Sequence, residues 1–151
     1  MKKYAINKKV RFDYEILEKI EAGLVLSGAE VKSIRSGNIS LKGAYVTLKS
    51  SGKNPEAWLI NAHISPYKPA GDQPSYDPDR SRKLLLKKRE INYLIGKKKE
   101  QGLTLVPLSV YNKKHRIKIE VGLAKGKKKY EKRDVIKKRE SDQKIRRALK
   151  N

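Results

Sequence analysis

Residues 103–123 read LTLVPLSVYNKKHRIKIEVGL. Two apolar runs flank a polar tetrapeptide, Asn112, Lys113, Lys114 and His115. In the second run Ile117, Ile119, Val121 and Leu123 alternate with Lys118, Glu120 and Gly122. A period of two puts the aliphatic side chains on one face of a strand and the charges on the other. The stretch therefore predicts a hairpin, with strands over 103–111 and 116–123.

Working outward, residues 43–50 (GAYVTLKS) and 56–65 (EAWLINAHIS) predict a second hairpin around Ser-Gly-Lys-Asn-Pro. Its expected inner face is Trp58, Ile60, Ala62 and Ile64, with His63 opposite, and Tyr14 is expected in the core too. Residues 11–21 (RFDYEILEKIE) alternate at Phe12, Tyr14 and Ile16, then slip to Leu17 and Ile20, as a strand with a bulge would. Leu24, Val25 and Leu26 make a further apolar run.

Two helices are predicted. In SGAEVKSIRSG, residues 27–37, Ser27 and Glu30 have the capping-box spacing, and Gly37 supplies a left-handed stop. Val31 and Ile34 share one face of about two turns, and Lys32 and Arg35 share another. From Arg80 the stripe Leu84, Ile91, Leu94 and Ile95 predicts a second helix, begun near Asp77-Pro78 or Asp79 and bracketed at its exit by Gly96 and Gly102. Residues 66–79, holding Pro66, Pro69, Gly71, Pro74 and Pro78, predict a loop. About six strands and two or three helices in roughly 120 residues predict a mainly β fold. The expected form is a small closed antiparallel barrel of oligonucleotide-binding type.

The chain has 151 residues, with 38 Lys and Arg against 16 Asp and Glu, a net charge of +22. Residues 125–151 hold 13 basic and 4 acidic residues and little aliphatic surface. They are expected to be a basic tail, disordered when free. Residues 1–124 are the expected body, with a short flexible basic arm at 1–6. Such charge points to a polyanion. Lys and Arg give phosphate contacts, and exposed rings such as Tyr67, Tyr76 and Tyr130 offer stacking surfaces. The plainer reading of Lys32 and Arg35 is a solvated helix face.

Several chemistries are disfavoured. Cysteine is absent, which excludes disulfides and thiolate metal sites. There is no P-loop, dinucleotide fingerprint or HExxH pattern. His63 and His115 lie far apart with no evident carboxylate partner, and the acids are scattered among bases. No enzyme, metal or cofactor is expected. No apolar run approaches the ~20 residues of a spanning helix, and the start MKKYAINKK lacks an apolar signal core. A cytoplasmic, monomeric protein that binds RNA, DNA or an anionic membrane is the expectation. A general single-strand chaperone is the alternative, and a membrane-surface role for the tail is weaker because no Trp or Phe lies there.

Long blocks closely resemble the small protein B family, the SsrA-binding proteins of bacterial trans-translation. They are NKKVRFDYEI, EAGLVLSGAEVKSIRSGNISL, NAHISPY, RSRKLLLKKREINYLIGK and LTLVPLSVYNKKHRIKIEVGLAKGKKKYEKR. The resemblance implies that the protein binds the tRNA-like domain of transfer-messenger RNA (tmRNA) and delivers it to stalled ribosomes. The body would replace the missing anticodon arm, and the tail would fold as a helix in the empty message channel. Elongation factor Tu would be met only indirectly, through the alanylated RNA. The implied RNA-binding residues are Glu21, Lys32, Arg35, Asn38, Leu85 and Lys118, with Leu85 facing out from the second helix. Those implied for the decoding centre and message channel are Gly126 as a hinge, Lys127, Lys128, Tyr130, Glu131, Lys132, Arg133, Arg139 and Ile145. Tyr130 and Glu131 stand where members often carry His and Asp, so a ring and a carboxylate persist but a protonated imidazole does not.

Overall fold

The computed structural model describes residues 2–50 and 54–127. In chain order the elements are β1 (Lys3–Ile6), α1 (Lys8–Asp13), β2 (Tyr14–Leu24), α2 (Gly28–Arg35), β3 (Ile39–Ser40), β4 (Tyr45–Lys49), β5 (Glu56–Ile60), β6 (His63–Ile64), β7 (Arg82–Leu85), α3 (Lys88–Gln101), β8 (Thr104–Lys113) and β9 (Arg116–Gly126). Seven strands form one antiparallel sheet in the order β1-β8-β9-β2-β7-β5-β4, and β3 pairs with β6 apart from it.

The predicted hairpin 103–123 is the β8–β9 pair. Ile117, Ile119, Val121 and Leu123 are buried, while Lys118 and Glu120 stay partly exposed, as the alternation requires. β9 is also the partner of β2, whose register shifts between Ile16 and Glu18 at the expected bulge. Ser27 Oγ accepts from Glu30 N–H and Glu30 accepts from Ser27 N–H, so the capping box that starts α2 is complete. Asn38 N–H donates to Ser33 C=O and Gly37 N–H to Ile34 C=O, which closes α2 over a left-handed Gly37.

Four expectations change. First, residues 82–85 are a strand, not the start of a helix. Arg82 and Leu84 point inward and Lys83 and Leu85 outward, and the strand fills the place between β2 and β5. Helix α3 begins only at Lys88, where Glu90 accepts from Lys87 N–H at 2.8 Å, and ends at left-handed Gly102, with Gly96 inside it. Leucine fits either period, and the two-sided pairing of the strand decides the matter.

Second, Ala57 and Leu59 face the core of β5, and Trp58 and Ile60 face outward. Ala62 and Ile64 are buried as expected. The parity changes at Asn61, whose φ of 61° bends the chain between β5 and β6. Third, residues 3–6 are paired with β8 rather than a loose arm, and residues 11–13 belong to α1.

Fourth, the sheet is not closed by hydrogen bonds among the described residues. β1 and β4 are its edges, although curvature brings β4 against β8. β1 stops at Ile6, where Asn7 turns the chain into α1 and its Nδ2 donates to Pro107 C=O at 3.1 Å. Pro107 has no N–H to offer a further strand, so pairing cannot run on past it.

Candidate nucleic-acid interface

The middle strand of the sheet carries a gap in its side chains. Gly23 on β2 is paired with Leu85 on β7 and with Lys118 on β9. Directly paired residues share a face, so Leu85, Gly23 and Lys118 lie abreast on the outer surface. A Cβ on Gly23 would stand 3.2 Å from Leu85 Cβ and 3.6 Å from Lys118 Nζ. The missing side chain makes a groove of about 270 Å³, lined also by Val31, Arg35, His115 and Arg116. Leu85 is 56% exposed and Val25 45%, an unusual outlay of aliphatic surface in so charged a chain.

The groove is held by polar ties on either side. Arg35 Nη2 donates to His115 C=O at 3.0 Å, which fixes the tight turn where Lys114 and His115 have positive φ. Glu21, two residues before Gly23 on the same face, accepts from Tyr111 Oη at 2.5 Å and from Lys113 Nζ at 3.2 Å. Its carboxyl is held below the ordinary range chiefly by the Tyr111 hydrogen bond, with Lys113 and Lys118 adding to it against the effect of burial. The Tyr111 hydroxyl is pushed far up by burial and by Glu21. Glu21 is thus a fixed anion at neutral pH, with acceptor capacity left over.

Beneath α2, Glu30 is almost wholly buried and does more than cap. It accepts from Arg82 Nε at 3.0 Å and Nη2 at 2.8 Å and from Arg80, and the Tyr76 hydroxyl oxygen lies 3.2 Å from it. Burial opposes its ionisation, but Arg80, Ser27 N–H and Arg82 outweigh that and bring its pKa down to about 2. The network ties α2 to β7 and to the loop before it, and so places Arg35 relative to Leu85.

Of the six residues implied for tmRNA binding, Arg35, Leu85 and Lys118 line this groove, and Glu21 adjoins it along β2. Lys32 lies outside it, with its Nζ 5.8 Å from the Tyr67 ring centroid. Asn38 is exposed beyond α2, where its C=O accepts from Ser65 N–H. Tyr76, a candidate stacking ring, is half-buried and donates to Ile64 C=O at 2.8 Å, so its hydroxyl is committed to the fold. His63 faces outward and does have a carboxylate neighbour, with Nδ1 2.8 Å from Asp79 Oδ1.

Sequence reasoning missed Gly23, His115, Arg116 and Lys113. Gly23 was detectable, since a glycine inside a strand marks a close approach. It also missed outward-facing Trp58, which carries Lys49 Nζ 5.5 Å from its ring centroid.

Toward the tail, Gly126 pairs with Tyr14 at the end of β9. Lys127 donates from N–H to Asp13 C=O and from Nζ to Arg11 C=O. Residues 125–127 thus continue β9 and its hold on α1. Lys128, Tyr130, Glu131, Lys132, Arg133, Arg139 and Ile145 lie outside the described residues.

Comparison with known proteins gives a consistent picture. A profile of the SmpB protein family matches residues 4–151. An SsrA-binding protein of Enterococcus faecalis (strain ATCC 700802 / V583) is 52% identical over 97% of this chain and 92% of its own length. One from Gloeothece citriformis (strain PCC 7424) is 51% identical over 95% of this chain and 90% of its own. A solved structure described as "tmRNA-SmpB: a journey to the center of the bacterial ribosome" is 44% identical, with a TM-score of 0.64, over 82% of this chain and 84% of that one.

Proposed function

The chain belongs to the SmpB family, and we propose that it uses the Gly23 groove to hold the tRNA-like domain of tmRNA. It binds tmRNA and acts with it on the ribosome in trans-translation. The observation that carries the groove assignment is the row Leu85–Gly23–Lys118. It sets a bare apolar patch beside a cation, suited to a sugar or base face and its phosphate. Glu21 would accept from base amino groups, as a fixed carboxylate does. Arg35 would act mainly by holding the His115 turn.

The curled sheet is an oligonucleotide-binding type of barrel, unsealed at one seam. The body stands in for an anticodon arm, and residues 128–151 occupy the vacant message channel, where nucleic acid neutralises their charge and a helix forms. The role is one of positioning, without a chemical step. The protein works as a cytoplasmic monomer, and elongation factor Tu is reached only through the alanylated RNA.

A gel-shift comparison tests the reading. The tRNA-like domain should bind much more tightly than an ordinary tRNA or a single strand of equal length. Affinity that tracks only length and charge would favour a general chaperone instead.

A further inference from the structure

On the outer face of the sheet two carboxylates stand side by side. Glu21 on β2 is paired with Glu120 on β9. Directly opposite residues have Cβ atoms about 5 Å apart, and like charges there repel. Tyr111 on β8 holds one of the two against that repulsion. It is abreast of Lys118 and Gly23, and so lies on the same outer face. Its side chain reaches diagonally across β9, and the hydroxyl donates to Glu21 Oε2 at 2.5 Å. The residue is only 4% exposed, so the hydroxyl is held in place by packing. Lys113 Nζ also meets Glu21, at 3.2 Å, but that lysine is half exposed on a flexible stem. The other charges around Glu21 are less direct. β9 brings Lys118, Glu120 and, toward the turn, Arg116, and β2 itself brings Lys19. β7 reaches only to Leu85, with Lys83 farther off beside Val25.

We propose that Tyr111 is a positioning residue for the tRNA-like domain: its hydroxyl clamps Glu21 in one orientation against Glu120, so that an ordered acceptor is presented to base amino groups. The inference rests on the reading that Glu21 meets RNA. A glutamate free to turn would swing away from Glu120 into water and would have to be ordered each time RNA binds. Tyr111 carries that ordering in the fold instead, because its ring is already fixed. The carboxylate has two oxygens and about four acceptor sites, so the contacts to Tyr111 and Lys113 leave sites for a base. Tyr111 itself touches no RNA in this scheme and acts only through Glu21.

The test measures binding of the tRNA-like domain to the full chain carrying Tyr111→Phe, Glu21→Ala or both. Tyr111→Phe keeps the ring, and its melting temperature checks the fold. It should weaken the domain by about three- to tenfold, the scale of one glutamate side chain ordered on binding. Added to Glu21→Ala, it should cost nothing further. An equal loss in both backgrounds would overturn the proposal, since Tyr111 would then act on something other than the carboxylate. A pH series gives a second readout. The Tyr111 hydrogen bond is the chief cause that holds the Glu21 carboxyl low, so Tyr111→Phe raises its pKa. A low carboxyl pKa keeps the charge further into acid, so the unaltered chain should outlast Tyr111→Phe. The gap between them should widen as pH falls from neutral toward 4.5, the ordinary value, and a constant gap would count against the clamp. Loss of affinity in Glu21→Ala with none in Tyr111→Phe would overturn the proposal and leave the groove reading standing. Unchanged affinity in Glu21→Ala would remove Glu21 from the RNA and overturn both.

Discussion

Arg82 and Glu30 meet at 2.8 Å with both side chains sealed from water. Arg82 also donates to Ala62 C=O and Pro78 C=O, so one guanidinium joins β7, the bend before β6 and the loop before β7 to the start of α2. A buried ion pair of this kind adds little net stability when intact, but breaking it is costly. Glu30→Gln should destabilise the fold by about 3–5 kcal/mol, since it leaves two guanidinium groups facing a neutral amide. Urea unfolding at neutral pH measures this. A change below about 1 kcal/mol would mean that the network carries little of the fold.

The same pair sets an acid limit. Glu30 has a pKa of about 2 in the folded protein against 4.5 ordinarily. A depressed carboxyl pKa contributes stability that is fully present above about 4.5 and is lost as pH falls toward about 2. The contribution is about 3 kcal/mol. Unfolding free energies taken across that window should fall steeply in the unaltered protein and more gently in Glu30→Gln.

The strands that alternate without interruption were legible from residue order. β8 and β9 were read nearly to their ends, because Ile117 to Leu123 keep a strict period of two. The capping box of α2 was equally local. What failed depended on partners distant in sequence. Leu84 and Leu85 satisfy a helical stripe as readily as a strand, and only pairing with β2 and β5 separates the two. Trp58 was turned the wrong way because a left-handed Asn61 changes the parity of the strand. Arg82 reads as one more cation in a basic stretch, and its burial against Glu30 is a meeting of residues 52 apart. At the site, Leu85, Lys118 and Glu21 entered through family resemblance, whereas Gly23 between them could have been found by asking why a strand carries glycine.

The groove assignment predicts unlike effects for its members. Lys118→Ala should weaken the tRNA-like domain and lower the salt slope by about 1, the signature of one phosphate contact. Leu85→Ala should weaken it by about tenfold with the slope unchanged, because the lost contact is apolar. Gel shifts at two salt concentrations separate these outcomes. Equal slopes in both variants would remove Lys118 from the phosphates.

Gly23→Val should fill the groove from below. Its Cβ would lie 3.2 and 3.3 Å from Leu85 Cβ and Cδ1, so Leu85 must move. RNA affinity should drop by about tenfold or more, while a β-branched residue keeps the strand stable. Combining Gly23→Ala with Leu85→Ala tests whether they act on the same space. Residues in contact deviate from additivity by roughly 0.5–3 kcal/mol, so the double variant should bind better than the two single losses summed. Strict additivity would mean that the two residues act independently.

The bonds made by Gly126 and Lys127 predict where the tail can be cut. Gly126 pairs with Tyr14, and Lys127 donates two hydrogen bonds to α1. A chain ending at Lys127 keeps all of these, so its melting temperature and its affinity for the tRNA-like domain should stay close to those of the full chain. It should nevertheless fail to support peptide tagging on stalled ribosomes, because residues 128–151 would be missing from the message channel. A chain ending at Lys125 removes the same segment but also the last sheet pair and both Lys127 bonds. It should lose about 1–3 kcal/mol of stability, roughly two hydrogen bonds' worth. Comparing the two separates a tail that acts on the ribosome from one that merely holds the body together. If the chain ending at Lys127 still supports tagging, the channel role falls. If that chain loses affinity for the tRNA-like domain, the tail belongs to the RNA grip as well.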